Sequence, residues 1–379
     1  MTDHQPVLAY LRDHQDDMTR DLVRLVEMES PSDDKPSLDR LAAHLLAEAQ
    51  ALGADAELLP HPQAGAILRA RWAAHHSGGV LLLCHMDTVW DLGTVRQRPV
   101  CIEDGRLYAA GAFDMKGGIV TALWALRVLQ VHGLMPERRI TLLITADEET
   151  GSATSRATIE AEALGHDAVL VLEPAHPPHG ALKTWRKGVG EYRLEVKGVA
   201  SHAGAAHEQG VNALEELAHQ VLAVQALTDY GRGTTVNVGV AGGGTRDNVV
   251  PDHAWADIDV RVMNAAEAER LHRALTSLQP KVKGASLAVT GGMNRPPMER
   301  TPGGVALFRR AEAIAAGLGF AVTETGTGGG SDGNFTAALG VPTLDGLGVT
   351  GDGAHAVHEH VILSSLPERA ALLAGLLCD

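Results

Sequence analysis

Three short, almost unbroken apolar runs constrain this chain most, because each ends directly in residues that can hold a metal or move a proton. Residues 80–84 lead into His85-Met86-Asp87-Thr88-Val89. Residues 139–145 lead into Ala146-Asp147-Glu148-Glu149-Thr150-Gly151-Ser152, and residues 168–172 into Glu173-Pro174. Runs of this length and texture predict strands buried on both faces, as in a parallel sheet covered by helices. Their polar ends then share the carboxyl edge of the sheet, where open α/β folds bind ligands. His85 and Asp87 are two apart, so on a continuing strand they point the same way. A carboxylate behind an imidazole is the partner that a metal-bound histidine needs.

The rest of the chain narrows the class. Its 379 residues predict two domains rather than one. Lys and Arg number 32 against 47 Asp and Glu, a net charge of −15, which disfavours nucleic acid and anionic membrane as partners. Cys84, Cys101 and Cys378 form no spaced framework, which points to a reducing compartment. The N-terminus has neither a basic nor an apolar leader segment, and no apolar run reaches membrane-spanning length, so the expected location is cytoplasmic.

In chain order, helical spacing over residues 7–26 predicts one helix, and Leu38, Leu41, Leu45, Ala49 and Leu52 mark a second, stopped by Gly53. Asp104-Gly105 reads as a hairpin turn. Gly111-Ala112-Phe113-Asp114-Met115-Lys116-Gly117-Gly118 is a glycine-punctuated loop before a strongly apolar helix, and it aims Asp114 at the mouth of the sheet. After Glu173 the texture changes. Residues 190–197 and 255–262 alternate polar and apolar, as half-exposed antiparallel strands do, and helical patterns cover 211–227 and 265–278. Strand, helix, strand, strand, helix, strand is a ferredoxin-like order. The fold expected is therefore α/β: an α/β/α catalytic domain with a mostly parallel central sheet, in two parts (1–183 and 297–379), interrupted by an α+β ferredoxin-like domain (184–296).

Hydrolysis at neutral pH without a serine or cysteine nucleophile calls for a metal-activated water. His85, Asp114, Glu148, Glu149, Glu173 and a late histidine suffice for two metals and a base. In order and spacing these motifs resemble the di-zinc aminoacylase and glutamate carboxypeptidase family of metallopeptidases, the carboxypeptidase G type among them, over nearly the whole chain. The resemblance implies a zinc-exopeptidase fold with two Zn²⁺ per subunit, Co²⁺ or Mn²⁺ being possible substitutes. It implies that Asp114 bridges the metals, that His85 and Glu173 complete one site, and that Glu149 and His355 complete the other. Glu148 would be the general base, Asp87 would orient His85, and the Asp114-Met115 peptide would be cis. In Ala200-Ser201-His202-Ala203-Gly204 the family's lid motif implies that His202 crosses a homodimer, formed through the inserted domain, to donate to the partner's oxyanion. Asn248, Arg261 and Arg295 would hold the substrate's carboxylate, with backbone N–H groups near Gly329 close by.

The implied substrate is a small peptide or N-acyl amino acid, with release of a C-terminal glutamate expected. The same motifs leave open an acetylornithine-type deacylase or a dipeptidase, and, outside enzymes, a silent carboxylate-binding dimer. His358 and His360 rival His355, which is preferred for standing four residues before Glu359. Relatives often carry proline where this chain has His207. Taken singly, residues 147–149 also suit an acid-rich helix start. Arg186-Lys187 reads as surface charge, and Trp90 as core or pocket wall.

Overall fold

A computed structural model of the protein describes residues 4–72 and 78–378. The chain divides into two compact units. One runs up to Trp185 and takes in Arg300–Thr327 and the segment from Ser331 onward; the other is Arg186–Glu299 with Gly328–Gly330.

The first unit is built on a six-stranded sheet in the order Asp55–Leu59, Ile67–Trp72, Ile140–Thr145, Val80–His85, Ala168–Val171, Thr343–Leu344. The first two strands are antiparallel to their neighbours, and the remaining pairs are parallel. Strand alternation explains why the three founding runs must be apolar throughout. Val80, Leu82 and Cys84 enter a core on one face with Leu142 and Leu170, whereas Leu81 and Leu83 enter a second core with Leu143, Val169 and Val171. Helices Lys35–Ala51, Gly117–Val131, Pro302–Leu318 and Ser365–Cys378 contribute to the first core. Helix Arg156–Leu164 and Phe335 close the second.

Gly117–Val131 is apolar on every side and almost wholly buried, as a helix inside a core must be. Its start presses on the end of a strand: a Cβ at Gly118 would lie 2.0 Å from Leu172 O, so only glycine fits. Lys35–Ala51 begins where the Asp34 side chain accepts the Ser37 N–H at 3.0 Å and caps the first turn.

The single N-terminal helix expected over 7–26 is two, Gln5–Asp13 and Gln15–Glu27. His14 separates them at φ −107°, its ring stacked on Tyr10 at 4.0 Å and its Nδ1 bonded to Tyr10 O at 2.8 Å. A side chain competing for the helix's own carbonyl is invisible to apolar periodicity.

The second unit holds an antiparallel sheet in the order Thr235–Gly243, His253–Val262, Gly188–Lys197, Ser286–Arg295. Tyr192, Leu194, Val196, Ala256 and Ile258 share one core with Leu217, Val224 and Leu271 of helices Ala213–Gln225 and Ala265–Thr276. Asn212 and Asn264 cap those helices with their side-chain oxygens. Among the described residues no helix is long and apolar enough to cross a membrane.

Candidate active site

In-register parallel pairing sets the site. His85 stands level with Thr145, and Leu83 with Val171, so the polar continuations of all three strands emerge together. Glu148–Thr150 forms a single helical turn just past its strand. The Asp87 carboxylate accepts the N–H groups of Glu148 and Glu149 at 3.2 and 3.1 Å and the Ser32 hydroxyl at 2.7 Å. His85 Nδ1 lies 3.0 Å from the Asp87 backbone carbonyl and 3.4 Å from its carboxylate. Asp87 therefore acts in two directions: its carbonyl fixes the imidazole, and its carboxylate fixes the acidic turn.

Asp114 lies in a wide turn, Ala112–Lys116, where it departs from helical angles (φ −114°, ψ 99°), and the Asp114-Met115 peptide is cis. Its two oxygens face different histidines, Oδ1 at 3.2 Å from His85 Nε2 and Oδ2 at 3.5 Å from His355 Nε2. Glu173 Oε1 is 3.4 Å from His85 Nε2, and Glu149 Oε2 is 3.1 Å from His355 Nε2. Of the three late histidines, His355 makes these contacts from a left-handed backbone (φ 62°), whereas His360 turns its ring to Tyr108.

Donor atoms of His85, Asp114 and Glu149 lie within 4.8 Å of one another, as do those of His85, Glu148 and Glu173. These nitrogen and oxygen donors suit divalent zinc or its neighbours. The buried Glu149 Oε1 has no hydrogen-bond partner, as expected of an atom kept for a cation. Charge points the same way, since the acids at these strand ends outnumber the imidazoles between them.

The imidazoles answer to those acids. Burial works against a charge on His85, but bonds to Asp114, Asp87 and Glu173 overcome it and raise its pKa well above the ordinary value. Asp114 and Glu149 push His355 up to about 10. Burial opposes ionisation of Asp114, yet His355 and His85 hold it well below the usual carboxylate range. Burial pushes Glu149 up to about 6. Beneath the cluster, the buried Lys116 donates to Met28 O at 2.8 Å, and burial brings it down to about 7 against the fields of Glu359, Glu29 and Asp87.

The remaining sequence-predicted residues lie in the second unit. His202 pairs with Val249 next to Asn248, whose carbonyl accepts the Ala203 N–H at 3.0 Å. His202 Nδ1 accepts from the N–H groups of Gly204 and Ala205, both at 3.1 Å. That leaves the proton of the neutral ring on Nε2, facing outward as a donor. Arg261 is gripped by Asp259, with Nε at 2.9 Å from Oδ1 and Nη2 at 2.8 Å from Oδ2, and Nη1 reaches Gly328 O at 3.4 Å. Arg295 is buried against Gly330.

Three residues escaped the sequence reading. Arg186 is no surface charge: it is 3% exposed and donates to Gly329 O at 3.3 Å and Gly330 O at 3.0 Å. It ends a mostly buried strand, Leu182–Arg186, which was not assigned from the sequence. Glu359, noted only as a spacing marker, accepts the N–H groups of Gly111, Phe113 and Asp114 and the Trp90 indole, all between 2.9 and 3.1 Å. Ser32 had no signal at all.

A cluster of nitrogen and oxygen donors at the carboxyl edge of a mostly parallel sheet is the centre of a metal-dependent hydrolase. The profile of peptidase family M20/M25/M40 matches residues 81–379. Carboxypeptidase G2 of Pseudomonas sp. (strain RS-16) is 31% identical over 97% of this chain and 90% of its own length. A succinyl-diaminopimelate desuccinylase of Bordetella petrii is 32% identical over 69% of this chain and 71% of its own. The chain belongs to the M20 metallopeptidase family. Its fold is shared with the aminopeptidase PepT of Bacillus cereus (TM-score 0.78, 23% identity, 96% of this chain and 98% of that one). The M20 family metallo-carboxypeptidase Sso-CP2 of Sulfolobus solfataricus has the same architecture (TM-score 0.73, 18% identity, 95% and 98%).

Proposed function

We propose that this protein is a di-zinc exopeptidase that cleaves an amide bond next to a free carboxylate and releases a C-terminal glutamate or a similar amino acid. The observation that carries the reading is the meeting of His85, Asp114, Glu149, Glu173 and His355 around the turn that presents Glu148. Likeness to carboxypeptidase G2 over nearly the whole chain supports the glutamate preference.

Asp114 would bridge the two ions, His85 and Glu173 would hold one, and Glu149 and His355 the other. Bound there, the ions supply the Lewis acidity that makes water a nucleophile at neutral pH and polarises the scissile carbonyl. Glu148 takes a proton from the attacking water and delivers it to the leaving nitrogen as the C–N bond breaks. Asp87 keeps the base-bearing turn in place through its two N–H bonds. His202 offers Nε2–H to the oxyanion of a partner's substrate, which makes a homodimer joined through the second unit part of the mechanism. Asn248, Arg261, Arg295 and the Gly329 backbone hold the substrate's carboxylate. Free thiols at Cys84, Cys101 and Cys378 are consistent with a cytoplasmic setting.

Zinc-reconstituted protein assayed on N-acyl-glutamates and on acetylornithine tests this. Glutamate release at the higher kcat/KM supports the carboxypeptidase reading. Faster deacetylation of acetylornithine replaces it with the deacylase, and no turnover of any N-acyl amino acid or dipeptide leaves a silent binding protein.

A further inference from the structure

The catalytic unit carries a groove of about 310 Å³ that opens onto the metal-ligand candidate Glu149 and is walled by Pro31, Asp33, Val89, Trp90 and Asp91. Its two walls are laced together, Thr88 N–H to Ser30 O at 2.9 Å and Ser32 N–H to Thr88 O at 3.3 Å. Trp90 is fixed in place, its indole N–H on Glu359 at 2.9 Å and the Arg98 guanidinium over its ring at 4.5 Å. Val89 is 44% exposed, an apolar side chain left open to solvent beside a reaction centre. No lysine, arginine or histidine is among its lining residues; Asp33 and Asp91 give it two exposed carboxylates, while the third acid, Glu149, is faced by His355 at 3.1 Å.

This groove, with carboxylates and no cationic side chain among its lining residues, does not suit the free carboxylate of a substrate. With the scissile carbonyl at the metal cluster, the acyl side of the substrate is what remains for it. We propose that the groove is an acyl-side subsite selecting an acyl group with an apolar body and a cationic amine, and discriminating against an anionic acyl group such as succinyl. The inference rests on the peptidase reading above and narrows its substrate class. Apolar contact with Val89, Trp90 and Pro31 seats the chain, and the Asp33 and Asp91 carboxylates attract an ammonium and repel a carboxylate.

Three glutamate conjugates with a four-carbon acyl chain test the charge alone: 4-aminobutyryl, butyryl and succinyl. Zinc-loaded protein is expected to cleave the amine-bearing conjugate with kcat/KM about tenfold above the butyryl and further above the succinyl. The double variant D33N/D91N, at two exposed positions, is expected to bring the 4-aminobutyryl to butyryl ratio of kcat/KM down to about one, the ratio and not either absolute rate being the readout. Equal rates on 4-aminobutyryl and succinyl conjugates, or a preference untouched by the double variant, overturn the subsite. Should the protein cleave none of the three, the glutamate-releasing reading fails, and the groove is judged by binding. Benzylamine, and not phenylpropionate, is then expected to change tryptophan fluorescence, with the change lost in Trp90→Phe. Equal responses to both probes, or no response, overturn the proposal.

Discussion

Glu359 Oε1 accepts the backbone N–H of Asp114 at 3.1 Å, and this bond ties the loop carrying His355 to the loop carrying Asp114. Phe113 donates to the same oxygen, and Gly111 and Trp90 donate to the other. All these partners are donors, and the carboxylate is fully buried. In Glu359→Gln an amide NH₂ must face two of them. Each buried donor left unpaired costs about 1–3 kcal/mol, so the variant is expected to unfold at lower denaturant and to retain less zinc. Denaturation curves and metal content check it; a variant as stable and metal-rich as the parent contradicts the role.

Glu148 shares a cluster with His85 and Glu173, so geometry alone allows it to be a ligand or a base. As the base, Glu148→Ala lowers kcat by about 10²–10⁴ while zinc content stays at the parent value. If zinc leaves with the side chain, the residue is a ligand and the base must be sought elsewhere.

Metal binding should release protons. His355, held at about 10, and His85, also raised, are protonated in the metal-free protein at neutral pH and must lose those protons to bind a cation. Apparent zinc affinity therefore rises with pH, and calorimetry in buffers of different ionisation enthalpy reports the protons released. The folded pKa of His355 lies above its unfolded value of about 6.5. Its contribution to the stability of metal-free protein is thus full below that value and is lost as pH rises toward about 10. Melting temperature of the chelated protein should fall across this window, and that of the zinc-loaded protein should fall less.

Much of this was legible because periodicity and strand ends carry it. The three apolar runs specify a doubly covered sheet, and whatever follows them must meet at one edge, so His85, Glu148, Glu149 and Glu173 could be placed together without coordinates. Asp114 could be aimed at that edge by its glycine-punctuated loop, whereas His355 was preferred by motif spacing, since nothing in its loop's composition says which strand end it faces. The break at His14 and the burial of Arg186 arise from single side-chain contacts that no period encodes. The hold of Glu359 on three backbone N–H groups is likewise set by the fold, because an acid that satisfies a loop looks in sequence like one on the surface.

Arg369 supplies a test of the scaffold alone. Fully buried, it donates Nε to Gly348 O at 2.7 Å and Nη1 to Gly180 O at 3.2 Å, with Nη2 on Gly346 O, and burial lowers it to about 10. Lysine keeps the charge but cannot span three carbonyls in one plane. Arg369→Lys is expected to cost about 2–4 kcal/mol of unfolding free energy, read from denaturant melts. A loss within error of zero would show that the loops hold themselves.

His202 supplies the sharpest test of assembly. Its Nδ1 is committed to Gly204 and Ala205, so the ring presents Nε2–H outward while remaining exposed in the single chain. If that donor serves a partner's substrate, His202→Ala lowers kcat by about 10²–10³ with zinc content unchanged. Mixing it with Glu148→Ala then gives a result that neither variant gives alone. In the hybrid dimer, one site pairs an intact Glu148 with the partner's intact His202, and the other site lacks both. Random exchange of subunits makes half the dimers hybrid with one working site in two, so activity should return to about a quarter of the parent value. A mixture that exchanges subunits and stays silent would place the histidine in its own subunit's chemistry or outside the reaction.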